Sequence, residues 1–304
     1  MFDIVEVGDW PPVGDEQMGM KQKCWLEAPD GVRWLFKQKT RPHTVEDCTE
    51  KLAAELADLF GIPHATAELA GRTGNRGVIT RNLLPDCDAV EMVHGNSLLA
   101  STDPAYETTR RFHNPQHTAL RVQQVLAGGE IGLPLGFSPG PPICDAFDLF
   151  LGYLMFDAWI GNTDRHHENW AVLRLTDGKR LVLCPSYDHA TCLGHNVGLE
   201  QKRRRLVPGN RADTVGAFAA RALSALFASE DDSKGMPTVV AFVTAAADRL
   251  DASRYWLDRL AAVDPGRATD IVNRMPDAMM PEVARQFAVA MLDANRARLL
   301  SAPC

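Results

Sequence analysis

The polar run Gly161-Asn162-Thr163-Asp164-Arg165-His166-His167-Glu168-Asn169 is the densest group of reactive side chains in the chain, set between an apolar stretch and a strand-like one. Phosphoryl transfer asks little covalent work of a protein. It needs a carboxylate to orient the attacking hydroxyl and oxygen ligands for a magnesium ion that bridges phosphates. Asp164 and Asn169, five positions apart, have the spacing of those parts. Asp188, in Pro185-Ser186-Tyr187-Asp188-His189, arrives one hairpin later and suits the remaining metal contacts. Asp-x4-Asn alone recurs by chance, so the ordered set of helix, loop, hairpin and aspartate carries the signal. Upstream, Lys37 ends Trp34-Leu35-Phe36-Lys37, a strand pattern that can aim an ammonium at nucleotide phosphates. A glutamate on the next helix should hold it. Glu50 and Glu55 are the candidates, with Glu55 nearer the apolar face and Glu50 on the flank, and phase alone leaves the choice open. Gly14 and Gly19, with Lys21 and Lys23 nearby, bracket a segment whose backbone N–H groups could cap phosphates.

These residues need rigid elements to position them. Residues 21–27 and 32–37 alternate around Ala28-Pro29-Asp30-Gly31, which predicts a hairpin. A helix is predicted over 44–60, with Val45, Cys48, Leu52, Leu56 and Leu59 in phase, Thr44 as its cap and Gly61 as its stop. Short strands follow at 65–69 and 77–80, so the order is β, β, α, β, β. Beyond Asn82 the pattern turns helical, over 116–126, 145–160, 214–227, 239–260 and 281–300, with one β island at 170–175 and 180–183. The Pro/Gly-rich segment 134–142 reads as a loop.

The same residues resemble the HipA-like family of bacterial serine/threonine kinases. The resemblance runs through residues 19–26, Leu35-Phe36-Lys37, 49–53, 59–63, Gly77-Val78-Ile79-Thr80 and His94-Gly95-Asn96, and above all 161–169 followed by Tyr187-Asp188. It implies an α+β, bilobal protein-kinase-like fold: a small β-rich N-lobe with one helix over 1–84 and a larger, mostly α C-lobe over 85–304. It implies ATP and Mg²⁺ as cofactors, a protein substrate, and room for a regulatory partner protein. By the resemblance Asp164 is the catalytic base and His166 helps organise its loop. Asn169 and Asp188 bind metal; Lys37, Glu50, Gly19, Lys21 and Lys23 serve the phosphates; and residues 81–84, including Arg81 and Leu83, form the hinge against adenine. Toxin members carry an extra N-terminal segment or a partner supplying it, and a regulatory serine in the glycine loop. Residues 14–23 hold no serine or threonine, so a toxin role is not expected.

Composition bounds the rest. The 304 residues are 45% hydrophobic, enough for a sizeable core, and the net charge of −7 argues against a nucleic-acid or anionic-membrane binder. The basic run 202–205 reads as a solvated loop. Residues 143–160 are apolar, but Asp145, Asp148 and Asp157 would be costly in lipid, so a buried helix is expected. Nothing in signal-peptide order opens the chain, and seven scattered cysteines fit free thiols, so a reducing cytoplasm is expected. A zinc site from His166, His167, Cys184, His189, Cys192 and His195 is a rival, but it leaves Lys37 and Asn169 unexplained. Two other readings keep the fold: a lipid or small-molecule acceptor, and a silent kinase-like binding module.

Overall fold

The computed structural model describes residues 1–15, 23–41, 43–84 and 89–303. The first part of the chain supplies β1 (Ile4–Glu6), β2 (Pro12–Asp15), β3 (Lys23–Glu27), β4 (Arg33–Gln38), helix α1 (Glu46–Phe60), β5 (Ala67–Arg72) and β6 (Asn75–Arg81). The strands form a six-stranded sheet in the order β1-β5-β6-β4-β3-β2. The hairpin forms as its turn chemistry predicts: Gly31 takes a left-handed φ of 82°, and Asp30 Oδ1 accepts from Val32 N. Its register puts Lys23 opposite Lys37, so both stand at the same end of the sheet. α1 stops at Gly61, which adopts φ 82° and closes the last turn through its N–H on Ala57 O.

The second part runs β7 (Ala89–His94), α2 (Gly95–Thr102), α3 (Ala119–Leu126), β8 (Ile131–Gly132), α4 (Ala146–Ile160), β9 (Ala171–Leu175), β10 (Leu181–Leu183), α5 (Leu199–Leu206), α6 (Val215–Ala219), α7 (Thr238–Ala245), α8 (Leu250–Ala262), α9 (Pro265–Asn273) and α10 (Glu282–Leu300). A four-stranded sheet, β7-β9-β10-β8, lies among these helices. The fold is thus α+β, with a β-rich part carrying one helix and a mostly helical part, as the sequence predicts. α4 is buried along its whole length. Each of its three aspartates is used structurally. Asp145 and Asp148 form a capping box and both receive Arg249, and Asp157 holds Arg165. No helix among the described residues is long and apolar enough to cross a membrane.

Several local expectations are corrected. The sheet has β1 and β2 beyond the four predicted strands, and Gly14 lies in β2 opposite Trp25. Thr44 does not cap α1; its hydroxyl bonds Arg41 O, and Val45 holds the cap position. The predicted helix 239–260 is split between α7 and α8, with Arg249 at the break reaching the start of α4. That pairing overrides the helix propensity of Ala245-Ala246-Ala247. The predicted helix 214–227 ends at Ala219, and residues 222–227 instead bond 236–238 and His117. The basic run is no loop: it lies on α5, with Lys202 buried over Phe287 and Arg205 over Phe218.

Gly152, inside α4, faces the Trp256 ring: a Cβ there would lie 2.5 Å from Trp256 Cε2. Gly152→Ala should therefore destabilise by about 1–3 kcal/mol through overpacking, despite the better helix propensity of alanine. Thermal melts should show a Tm several degrees lower, and an unchanged or higher Tm would contradict this packing.

Candidate active site

Residues 161–169 are built around one buried side chain. α4 ends at Gly161 with φ 68°, where a Cβ would lie 2.8 Å from Met291 Cε, so the chain can turn here only with glycine. Four residues on, the Arg165 guanidinium lies almost wholly buried. It donates from Nε to Asp157 Oδ2 at 2.7 Å and from Nη2 to Asp157 Oδ1 at 2.8 Å, a bidentate pair across the end of α4. Nη1 donates to Asn169 O at 2.9 Å, and Nη2 also reaches Ser186 Oγ at 2.8 Å. Asn162 and Asn169 complete the loop: Asn162 donates to Asp157 Oδ1, and Asn169 Nδ2 donates to Asp164 O at 2.6 Å. That bond turns the Asn169 amide so that its oxygen is the atom left for a cation.

Asp188 follows Ser186 in left-handed backbone, φ 56°, a conformation that aspartate tolerates better than most residues. Two neighbours hold it there. Ser186 pairs its backbone with Pro63 and Ala65, tying this segment to the connection between α1 and β5, and His189 N donates to Glu50 Oε1 at 3.3 Å. Thr49 on α1 donates its hydroxyl to Ala190 O at 2.6 Å. Glu50 stands one residue on, with Oε2 3.6 Å from Lys37 Nζ, while Lys37 donates to Asp188 Oδ1 at 3.0 Å. Burial alone would depress the Lys37 ammonium, but Asp188 and Glu50 more than offset it and raise it above its ordinary value, so Lys37 stays charged. Glu55 instead pairs with Lys51 and Arg274.

Lys23, Lys37, Arg81, Leu83, Asn169 and Asp188 all line one cleft of about 860 Å³, and Glu50 backs Lys37. Trp25, Leu35, Ala65 and Leu84 supply apolar walls. Along 81–84 the N–H groups of Arg81, Asn82 and Leu84 are taken by Thr66 O, Arg33 O and Asn82 Oδ1, whereas Leu83 N has no partner among the described residues. Asp164 and His166 instead line a second, larger groove, which shares no residue with the first. Gly19 and Lys21 lie outside the described residues.

His166 is buried, with Nε2 3.7 Å from Asp164 Oδ1. Glu168 N approaches its Nδ1 at 3.1 Å and Arg111 Nε its Nε2 at 3.0 Å, and a neutral ring can accept at only one of these. Burial first, then the Arg111 charge, pushes its pKa down to about 3, so it is neutral. Arg111 and Tyr187 are cleft residues that sequence reasoning did not single out. Arg111 also pairs with Glu168 at 3.3 Å, and Tyr187 OH donates to Glu168 O at 2.8 Å, which fixes the turn before Asn169. Arg111 comes from an irregular stretch with no periodicity to mark it; Tyr187 was visible only as the neighbour of Asp188. The zinc rival finds no support in the geometry: among the described residues no group of three His, Cys, Asp or Glu is placed to hold a metal. His189 bonds Ser186 Oγ, and Cys192 Sγ reaches Thr49 O.

Four buried histidines share one behaviour. Burial is the largest cause in each case, lowering His117 to about 3, His166 to about 3, His167 to about 4, and His189 well below its ordinary value near 6.5. The unfolded chain therefore takes up these protons first. Stability is full above about pH 6.5 and falls as the pH drops below it, by up to about 1.4 kcal/mol per pH unit for each histidine. Urea melts from pH 7.5 to 5 should show this loss, and a pH-independent midpoint would contradict it.

No family model matches the chain. The serine/threonine-protein kinase CtkA of Helicobacter pylori is 24% identical over 157 residues, 52% of this chain and 45% of that protein, so the match spans less than half of the relative's length. The crystal structure of the H. pylori proinflammatory kinase CtkA superposes with a TM-score of 0.72 at 18% identity, covering 98% of this chain and 96% of that one. HipA, from the Shewanella oneidensis toxin–antitoxin complex of HipA, HipB and operator DNA, gives a TM-score of 0.54 at 11% identity over 97% of this chain and 69% of the other. The resemblance read from the sequence is therefore borne out, and the chain has the bilobal fold of the HipA-like serine/threonine kinases.

Proposed function

We propose that this chain is an ATP-dependent protein serine/threonine kinase that works with Mg²⁺. The observation that carries the reading is the meeting, around one cleft, of a charged lysine from a β-strand with two carboxylates and an asparagine from three other segments. The kinase activity in the name of the H. pylori relative supports a protein hydroxyl as acceptor, in preference to a lipid or small molecule. A cytoplasmic site of action follows, since ATP is supplied there.

In this reading the adenine lies between Trp25, Leu35, Ala65 and Leu83, and Leu83 N donates to it. Lys37 holds the phosphates, Glu50 holds Lys37, and Lys23 adds positive charge, with Gly19 and Lys21 keeping the phosphate role that their sequence position suggests. Asn169 Oδ1 and the Asp188 carboxylate are hard oxygen donors beside the phosphate lysine, a set that fits Mg²⁺. Bound there, the metal would neutralise phosphate charge. Asp164 orients the acceptor hydroxyl and takes its proton, and His166 positions Asp164. The acceptor oxygen bonds the γ-phosphorus as the bond from that phosphorus to the β–γ bridging oxygen breaks, and ADP leaves with the electron pair. A regulatory partner protein is part of the proposal; DNA contact is not, given the net charge of −7.

The test incubates purified protein with Mg²⁺ and γ-labelled ATP, alone and with a cell lysate, beside Asp164→Asn. Label should reach protein serine or threonine and fall roughly 10²- to 10⁴-fold in the variant, with nucleotide binding retained. Equal labelling by both proteins would refute the role of Asp164. Label found only on lipid or small molecules would refute the protein acceptor.

A further inference from the structure

The second groove, about 1970 Å³, shares no lining residue with the nucleotide cleft and has Asp164 on its wall. Its outer wall is the segment between α6 and α7, which is firmly built although it is neither helix nor sheet. Ser224 N bonds Met236 O, Met236 N bonds Leu226 O, Thr238 N bonds Ala222 O and Phe227 N bonds His117 O. Gly235 is needed for this closure, since a Cβ there would collide with Ser224 O.

The charges on the wall are one-sided. Arg205, Arg221 and Lys234 line the groove, and among the described lining residues Asp164 is the one carboxylate. Arg221 and Lys234 are exposed, and neither is in an ion pair with a carboxylate among the described residues. Of the nearby acids, Asp231 and Asp232, just before Lys234, are exposed but do not line the groove, Asp213 faces Arg204 and Arg205, and Glu230 pairs with Arg121. A chain with a net charge of −7 thus presents a cationic trough where an acceptor would approach its base.

Resting on the kinase reading above, we infer that this groove selects an acidic acceptor segment, a serine or threonine flanked by aspartate or glutamate, with Arg221 and Lys234 as its specificity-determining residues. The acceptor hydroxyl sits at Asp164, and carboxylates on its flanks meet the two cations on the opposite wall. Both contacts are solvent-facing, so they should be salt-sensitive and act on peptide affinity, not on nucleotide affinity.

The test measures binding, which does not depend on turnover. Fluorescein-labelled peptides with one serine flanked by glutamates, by alanines or by lysines are titrated by anisotropy against the full chain with Mg²⁺ and a non-hydrolysable ATP analogue. The glutamate peptide should bind at least about tenfold more tightly than the alanine peptide, with the lysine peptide weakest. Arg221→Glu with Lys234→Glu should erase or reverse that order, and Arg221→Gln with Lys234→Gln should flatten it while keeping the wild-type melting curve. Equal binding of the three peptides, binding of none, or an unchanged order in both double variants would overturn the inference. Nucleotide-induced Tm shifts are recorded in parallel. Their presence with no peptide preference leaves the kinase reading standing, and their absence with a clear preference sinks the kinase reading and not the groove.

Discussion

A guanidinium taken wholly out of water is costly unless every part of it is matched, and Arg165 is matched by Asp157, Asn169 O and Ser186 Oγ. The arrangement around the catalytic loop depends on that matching. Through Asp157 the arginine fastens the loop to the end of the most buried helix, through Asn169 it closes the loop on itself, and through Ser186 it holds the segment that carries Asp188. The proposed base and both metal-binding candidates are thus referred to one buried cation. No loop backbone could hold them by itself, because residues 161–169 belong to neither sheet and have few ladder partners of their own.

The other constraint is electrostatic and spans the two parts of the fold. Lys37 from the first sheet faces Asp188 and Glu50, so two carboxylates share one ammonium in a largely buried place. That local excess of negative charge would suit a divalent cation. α1 does more than carry Glu50. Its Thr49 and Glu50 both grip the backbone just after Asp188, so the helix that sets the lysine also sets Asp188. The segment 161–169 lends residues to both cavities: Asn169 and Glu168 to the first, and Asp164 and His166 to the second.

Much of this was legible in the sequence because the signals are local. Asp30-Gly31 makes the hairpin turn, Gly61 and Gly161 end their helices, and the five-residue interval from Asp164 to Asn169 lies within one loop. The choice of Glu50 over Glu55 as the neighbour of Lys37 needed the structure, because phase on α1 does not say which flank meets the cleft. What escaped depends on distant partners. β1 pairs in parallel with β5 across more than sixty residues, α7 breaks so that Arg249 can reach α4, and α6 stops where the chain pairs with 236–238. Neither α6 nor α7 has a glycine or proline where it stops. Lys202 misled through its charge: its neighbours mark a solvated surface, yet its ammonium is buried over the Phe287 ring. Arg165 sat in plain view inside the catalytic run, but its importance is set by partners at 157 and 186.

The most direct measurement is a crystal structure of the chain with Mg²⁺ and a non-hydrolysable ATP analogue. The account predicts metal ions bound by Asn169 Oδ1 and the Asp188 carboxylate, Lys37 turned to the phosphates with Glu50 still behind it, and the γ-phosphate facing Asp164 across the catalytic loop. Nucleotide bound elsewhere, or a metal held without Asn169 and Asp188, would contradict it.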